Sequence, residues 1–193
     1  MNDLAHLDPP AKLQAVLNRT AALGFSMPSE PRTGALLRTL AGTKPGGRVL
    51  ELGTGTGVSA AWLLDGMDRD SKLITVDVDP QWQAVARDVL GDDSRLEVVT
   101  EDAARFLRRQ APTSFDLIFA DAMPGKYELL DEALELLRPG GLYVIDDMLP
   151  QDSWPQGHAA KVPQLLSELA IRPGFRMVSM AWSSGMALVA RSG

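Results

Sequence analysis

The chain reads as an α/β protein on a doubly wound, mostly parallel sheet, and two observations carry that reading. Short apolar runs, continuous rather than alternating, recur with helical patterns between them, as expected of parallel strands covered on both faces. The last two runs, "FRMVSMAW" and "GMALVAR", lie only a few residues apart around Ser183, Ser184 and Gly185. So short a connection permits only an antiparallel pair.

The elements follow in order. "AKLQAVLNRTAAL" sets Leu13, Val16, Leu17, Thr20 and Leu23 at helical spacing, and "PRTGALLRTLA" predicts a second helix with proline at its start. Strands are then expected at 48–52, 72–77, 95–100, 115–120 and 141–146, with helices from 57 and at 80–89, 102–109, 125–137 and 159–170. In the helix from 125, Leu130, Ala133, Leu134 and Leu137 form an apolar stripe with Glu128, Asp131, Glu132 and Glu135 largely off it, an ordinary core face with a solvated back. No linker, repeat or low-complexity tract divides the 193 residues, so one domain is expected over 1–193, a helical cap at 1–45 on an α/β core at 46–193.

Composition narrows the chemistry. There is no cysteine, hence no disulfide, thiolate metal site or cysteine nucleophile, and His6 and His158 are too few for a multi-histidine site. Any metal must be held by oxygen. A net charge of −6, with no cluster of Lys and Arg among aromatics, argues against nucleic acid and favours small substrates. No stretch approaches a membrane span and the N-terminus lacks signal-peptide character, so no membrane association and a cytoplasmic location are expected.

"ELGTGTGVS" follows the first strand and opens a helix, a context in which glycines let a ligand approach the backbone. The spacing of Gly53, Gly55 and Gly57 is not that of dinucleotide binders, and no Lys-Ser/Thr of a phosphate loop follows, so a pyrophosphate ligand is disfavoured. The second strand ends in Asp77, placed to accept hydrogen bonds from two ribose hydroxyls. A ligand carrying a nucleoside is expected.

Together with this loop, "ITVDVDP", "VVTEDAARFL" and "FDLIFADAMPGKYELLDEALELLRPGGLYVIDD" resemble the class I S-adenosylmethionine-dependent methyltransferases, more narrowly the small bacterial O-methyltransferases similar to catechol and caffeoyl-CoA O-methyltransferases. The resemblance runs from about Met27 to nearly the end of the chain. It implies a seven-stranded Rossmann-like sheet with the final hairpin inserted antiparallel. It further implies that Glu51 and the loop of Gly53, Thr54, Gly55 and Gly57 hold the methionine part of the donor, Ser59 its carboxylate and Asp77 its ribose. Asp102 and the Ala103 backbone would read the adenine, and Met27 would border the donor. Carboxylates at strand ends suit a cationic sulfonium better than a phosphate. Two rival readings stay open: Glu51 as a charge that pairs locally or caps the loop, and Asp102 as the cap of the helix that follows.

Asp121 follows the fourth strand, and Asp146 and Asp147 follow the fifth, so three acids converge where an open sheet collects its ligands. Like charges that close need a cation. In the resembled family the corresponding Asp, Asp and Asn bind Mg²⁺, which activates a catechol-like hydroxyl; here the third position is Asp147, still suited to Mg²⁺, Mn²⁺ or Ca²⁺. The family's base, a lysine three positions after the first aspartate, is replaced by Pro124, and Lys126 lies two residues further on. Lys126 and His158 are the candidates to activate the acceptor, against bland readings as a solvated lysine and a surface histidine. Trp154, on a proline-flanked loop, is a candidate wall for a flat substrate.

The function this implies is methyl transfer from S-adenosylmethionine to an oxygen of a small molecule, with metal assistance open. The competing readings are an N-methyltransferase or aminopropyltransferase of the same fold and a non-catalytic donor-binding module. The helices before residue 45, surplus to the α/β core, would cover the pocket or pair two copies as a homodimer.

Overall fold

The computed structural model describes residues 5, 7–151, 154 and 156–193. His6 and the first four residues of the segment read for a signal peptide lie outside them. Two helices, α1 (Leu13–Leu23) and α2 (Pro31–Gly42), precede β1 (Arg48–Leu52). The chain then alternates through α3 (Val58–Gly66), β2 (Lys72–Asp77), α4 (Pro80–Leu90), β3 (Leu96–Thr100), α5 (Ala103–Arg108), β4 (Phe115–Ala120), α6 (Leu130–Glu135) and β5 (Leu137–Ile145). A short 3₁₀ turn (His158–Ala160) leads into α7 (Lys161–Ala170), β6 (Phe175–Met180) and β7 (Met186–Arg191).

The seven strands form one sheet in the order β3-β2-β1-β4-β5-β7-β6. Strands β1 to β5 are parallel, and β7 inserts antiparallel between β5 and β6. The continuous apolar runs are explained by burial on both faces. Leu50, Leu52, Ile118, Ala120, Tyr143 and Ile145 feed one core with the apolar sides of α5, α6 and α7. Val49, Leu117, Phe119 and Val144 feed the other, with α1 to α4. Among the described residues no helix is long and apolar enough to cross a membrane.

The helices before β1 pack on the core: α2 contacts α3, and α1 contacts α4 and α3. A glycine makes the first contact possible, since a Cβ at Gly34 would fall 2.3 Å from the Trp62 indole. The turn between α1 and α2 then brings Phe25 onto Trp82 of α4, ring centroids 5.1 Å apart. Thus the N-terminal segment covers the carboxyl end of the sheet on this side.

One expected element is corrected. The helix predicted over 125–137 is confined to α6, Leu130–Glu135, and β5 begins at Leu137 rather than 141. The residues before α6 form a tight loop instead, because Gly125 (φ 90°) and Leu129 (φ 55°) are both left-handed, a conformation no helix admits. Amide groups of Lys126, Tyr127 and Glu128 all donate to the Met123 carbonyl, and Gly125 donates to that of Glu128. This loop, not a helix, carries Lys126.

Candidate active site

Chain order reverses between β1 and β4, which lie side by side, and at such a point the loops leaving the two strands diverge and open a crevice. The glycine loop leaves β1 there and Asp121 leaves β4. They touch: the Asp121 amide donates to the Leu52 carbonyl at 2.8 Å, and a Cβ on Gly53 would lie 2.7 Å from the Asp121 carbonyl oxygen. Above them opens a cavity of about 680 Å³, within the range of small-molecule sites. Gly53, Thr54, Gly55, Ser59, Asp77, Asp121, Lys126, Asp146, Asp147, Trp154 and His158 all line it, as does the exposed Met27.

One half of the cavity is built on the glycine loop. Asp77 receives the amide of Gly55 at 2.8 Å and that of Asp79 at 3.1 Å, which fixes its carboxylate at the cavity wall with acceptor capacity to spare. Phe25 closes over Gly55, whose Cβ would stand 3.0 Å from the ring. Gly57, at the N-terminus of α3, is pressed against Ala86 of α4 and does not line the cavity. Beneath the loop, Glu51 is fully buried; its Oε2 accepts the Thr75 hydroxyl at 2.5 Å while Oε1 has no hydrogen-bond partner among the described residues. Burial raises its pKa to about 8, against the pull of the Ser59 and Thr75 hydroxyls, and Asp121 and Asp77 add to the rise. Thr75 in turn contacts the hydroxyl of Thr54 at 2.6 Å, which accepts from Gln83. A carboxyl so placed awaits a cation or holds a proton.

Asp102 caps α5, accepting the Arg105 amide at 2.9 Å. Neither it nor Ala103 lines the cavity, so the capping role is the one the structure displays.

The other half gathers the acids around a lysine. Lys126, only 5% exposed, sets its Nζ 3.1 Å from Asp121 Oδ1 and 3.7 Å from Asp147 Oδ2. Burial alone would lower the ammonium's pKa, but Asp121, Asp147 and Asp146 outweigh it and the pKa is raised. Asp121 is pushed up to about 7, chiefly by burial, with Lys126 opposing and Asp146 and Asp147 adding. Asp146 is raised by burial against the Ser184 hydroxyl, which donates to its Oδ1; the Asp147 amide reaches the same oxygen at 2.8 Å. Among the described residues no group of three His, Asp or Glu side chains is placed to hold a metal ion. Asp121, Asp146 and Asp147, expected to share a cation, converge beside the Lys126 ammonium.

Aromatic rings wall this half. His158 packs against Trp154 at 4.6 Å and meets Tyr127 edge-on at 5.1 Å. Its pKa is lowered by burial and by Lys161 and Lys126, so the imidazole is neutral at pH 7. Phe25, Trp82, Tyr127, Thr75 and Ser184 were not singled out in the sequence. Each is an ordinary-looking residue whose role comes from packing across the sheet, and only the proximity of Trp82 to Asp77 and of Tyr127 to Lys126 offered a signal.

A family model described as a methyltransferase domain matches residues 50–148. The chain belongs to this family. A relative from Mycolicibacterium vanbaalenii, named "Putative O-methyltransferase", is 38% identical over 140 residues, 70% of this chain and 62% of its own length. The chain thus spans a little under two thirds of the curated relatives it first matches. A cofactor-bound protein from MTB superposes with a TM-score of 0.84 at 27% identity, covering 99% of this chain and 94% of that one. The O-methyltransferase of Bacillus cereus in complex with SAH gives 0.84 at 21% identity, covering 97% and 94%, and establishes the fold alone. The methyltransferase fold places the cavity at the carboxyl ends of β1, β2, β4 and β5.

Proposed function

We propose that this methyltransferase moves a methyl group from S-adenosylmethionine to a hydroxyl oxygen of a small aromatic molecule. The observation that carries the reading is the division of one cavity into a glycine-loop half ending in Asp77 and a lysine–carboxylate half walled by rings. Glu51, buried beneath the glycine loop and not on the cavity wall, braces that loop through the Thr75 and Thr54 hydroxyls, and the loop leaves room for the donor's backbone-like portion.

Asp77 would accept the ribose hydroxyls, Phe25 and Trp82 would shield the loop from water, and Ser59 at the start of α3 would meet the donor carboxylate. When bound, S-adenosylmethionine supplies a methyl carbon whose bond to sulfur breaks as the acceptor oxygen's lone pair forms the new bond, leaving a neutral thioether. Lys126 would hold the acceptor oxygen, and His158 would take the hydroxyl's proton, being neutral and on the same wall. Alignment and exclusion of water supply the rest of the acceleration. The divalent ion implied by the resemblance does not fit these residues, because the Lys126 ammonium already answers the acids.

Calorimetric competition between S-adenosylmethionine and a nicotinamide dinucleotide tests the donor half. Tight binding of the former alone is expected; preference for the dinucleotide overturns the assignment.

A further inference from the structure

We propose that Lys126 is the resident cation of the Asp121, Asp146 and Asp147 cluster, standing where the resemblance implies a divalent ion, so that the acceptor is held through a single hydroxyl and needs no vicinal partner. The inference rests on the acceptor half of the reading above.

The loop fixes the lysine in place. Lys126 lies five residues after Asp121, and the left-handed Gly125 turns the chain back so that its side chain enters the cavity. The three amides gathered on the Met123 carbonyl and the Tyr143 hydroxyl on the Gly125 carbonyl hold that turn. A side chain 5% exposed and anchored this way cannot swing into water without opening the loop.

One oxygen of each carboxylate already faces a donor or the ammonium. Divalent ions take carboxylate oxygens at roughly 2.0–2.6 Å, so an ion seated between Asp121 and Asp147 would press against an ammonium that lies 3.1 Å from one and 3.7 Å from the other. Asp146 Oδ1 accepts both the Ser184 hydroxyl and the Asp147 amide.

The consequence for the acceptor follows from donor geometry. An ammonium has three N–H groups; Asp121 accepts one of them at 3.1 Å, Asp147 at 3.7 Å is an ion-pair partner beyond hydrogen-bond distance, and donor capacity is left for the cavity bounded by Tyr127, Trp154 and His158. One N–H binds one oxygen, whereas chelation of two adjacent hydroxyls is the property of a metal ion with open coordination positions. One hydroxyl on a flat ring is therefore sufficient for the acceptor.

The test uses the full chain, stripped with chelator and saturated with S-adenosylhomocysteine, whose binding is first confirmed by calorimetry. Mn²⁺ is titrated and followed by water-proton relaxation, and methyl transfer to a monohydroxy aromatic and to a catechol is measured in chelator and in Mg²⁺. No Mn²⁺ site, equal rates in chelator and Mg²⁺, and methylation of the monohydroxy ring are expected. Lys126→Met, which keeps the apolar stem without the charge, should slow transfer about ten- to a hundredfold, as loss of a charge-assisted hydrogen bond does. A bound Mn²⁺ in the native chain, activity lost in chelator and recovered with Mg²⁺, or native rates in folded Lys126→Met would each overturn the proposal. Failure of S-adenosylhomocysteine to bind would overturn the donor assignment instead, since the Mn²⁺ titration reads the lysine site by itself.

Discussion

The Tyr143 hydroxyl donates a 2.7 Å hydrogen bond to the Gly125 carbonyl, tying β5 near its carboxyl end to the loop that delivers Lys126. Tyr143 is fully buried and burial raises its pKa, so the hydroxyl is always a donor. Tyr143→Phe leaves the Gly125 carbonyl without that partner and should cost about 1–3 kcal/mol of stability. It should also lower kcat, because the loop that carries the lysine loosens. Denaturant unfolding and steady-state rates on the same preparation check this; unchanged values for both would show that the loop is held without the tyrosine.

Donor affinity should depend on Asp77. Asp77→Ala removes the acceptor for the ribose hydroxyls, which should weaken S-adenosylmethionine by about 1.5–3 kcal/mol for each charge-assisted bond lost. It also frees the Gly55 amide that Asp77 holds at 2.8 Å. Asp77→Asn, which keeps an oxygen toward Gly55, separates the two effects. Undiminished calorimetric affinity in both folded variants would remove Asp77 from the site.

How far the site was legible depends on where its residues sit in the chain. The loop at 53–57 and Asp77 announce themselves, because a strand, a glycine-rich turn and an acid after the next strand occur within some 25 residues whose local geometry is set by backbone rules. The parallel strands followed from continuous apolar runs and the antiparallel pair from one short connection, while the insertion of that hairpin into a seven-stranded sheet came only with the resemblance. Lys126 was harder. Its surroundings, "PGKYELLDEALELL", carry a helical stripe that extends back to the loop, but left-handed Gly125 and Leu129 delay the helix to Leu130, and Gly125 is pressed against Leu52 and Tyr143 on two different strands. The pairing of Lys126 with Asp121 and Asp147 depends on that tertiary override. Asp102 shows the converse: capping, a purely local role, was visible three residues ahead in Arg105's amide position.

Stability should fall with pH because of Glu51. Its pKa is raised from 4.5 to about 8 in the folded protein, so between those values the unfolded chain has lost a proton that the native state keeps. The stabilisation is complete below pH 4.5 and lost as pH rises through about 8. Urea midpoints of the native chain should decline across this window relative to Glu51→Gln, which has no proton to lose. Parallel curves for the two would mean that Glu51 is ionised in the folded state.

Proton removal should run through His158. With its pKa lowered from 6.5, the imidazole protonates only in mildly acidic solution, so the acid limb of the native pH profile that it contributes lies below that value. His158→Gln should abolish that limb and lower kcat on the order of a hundredfold, with donor affinity unchanged. A native kcat in the variant would assign the proton to another acceptor.

Methyl transfer to oxygen is read out by incubating the protein with S-adenosylmethionine carrying a labelled methyl group and a panel of hydroxylated aromatic rings, and identifying the products by mass spectrometry. A labelled methyl ether formed one for one with S-adenosylhomocysteine is expected. Donor binding with no transfer to any hydroxyl, or label found only on amines, would contradict it.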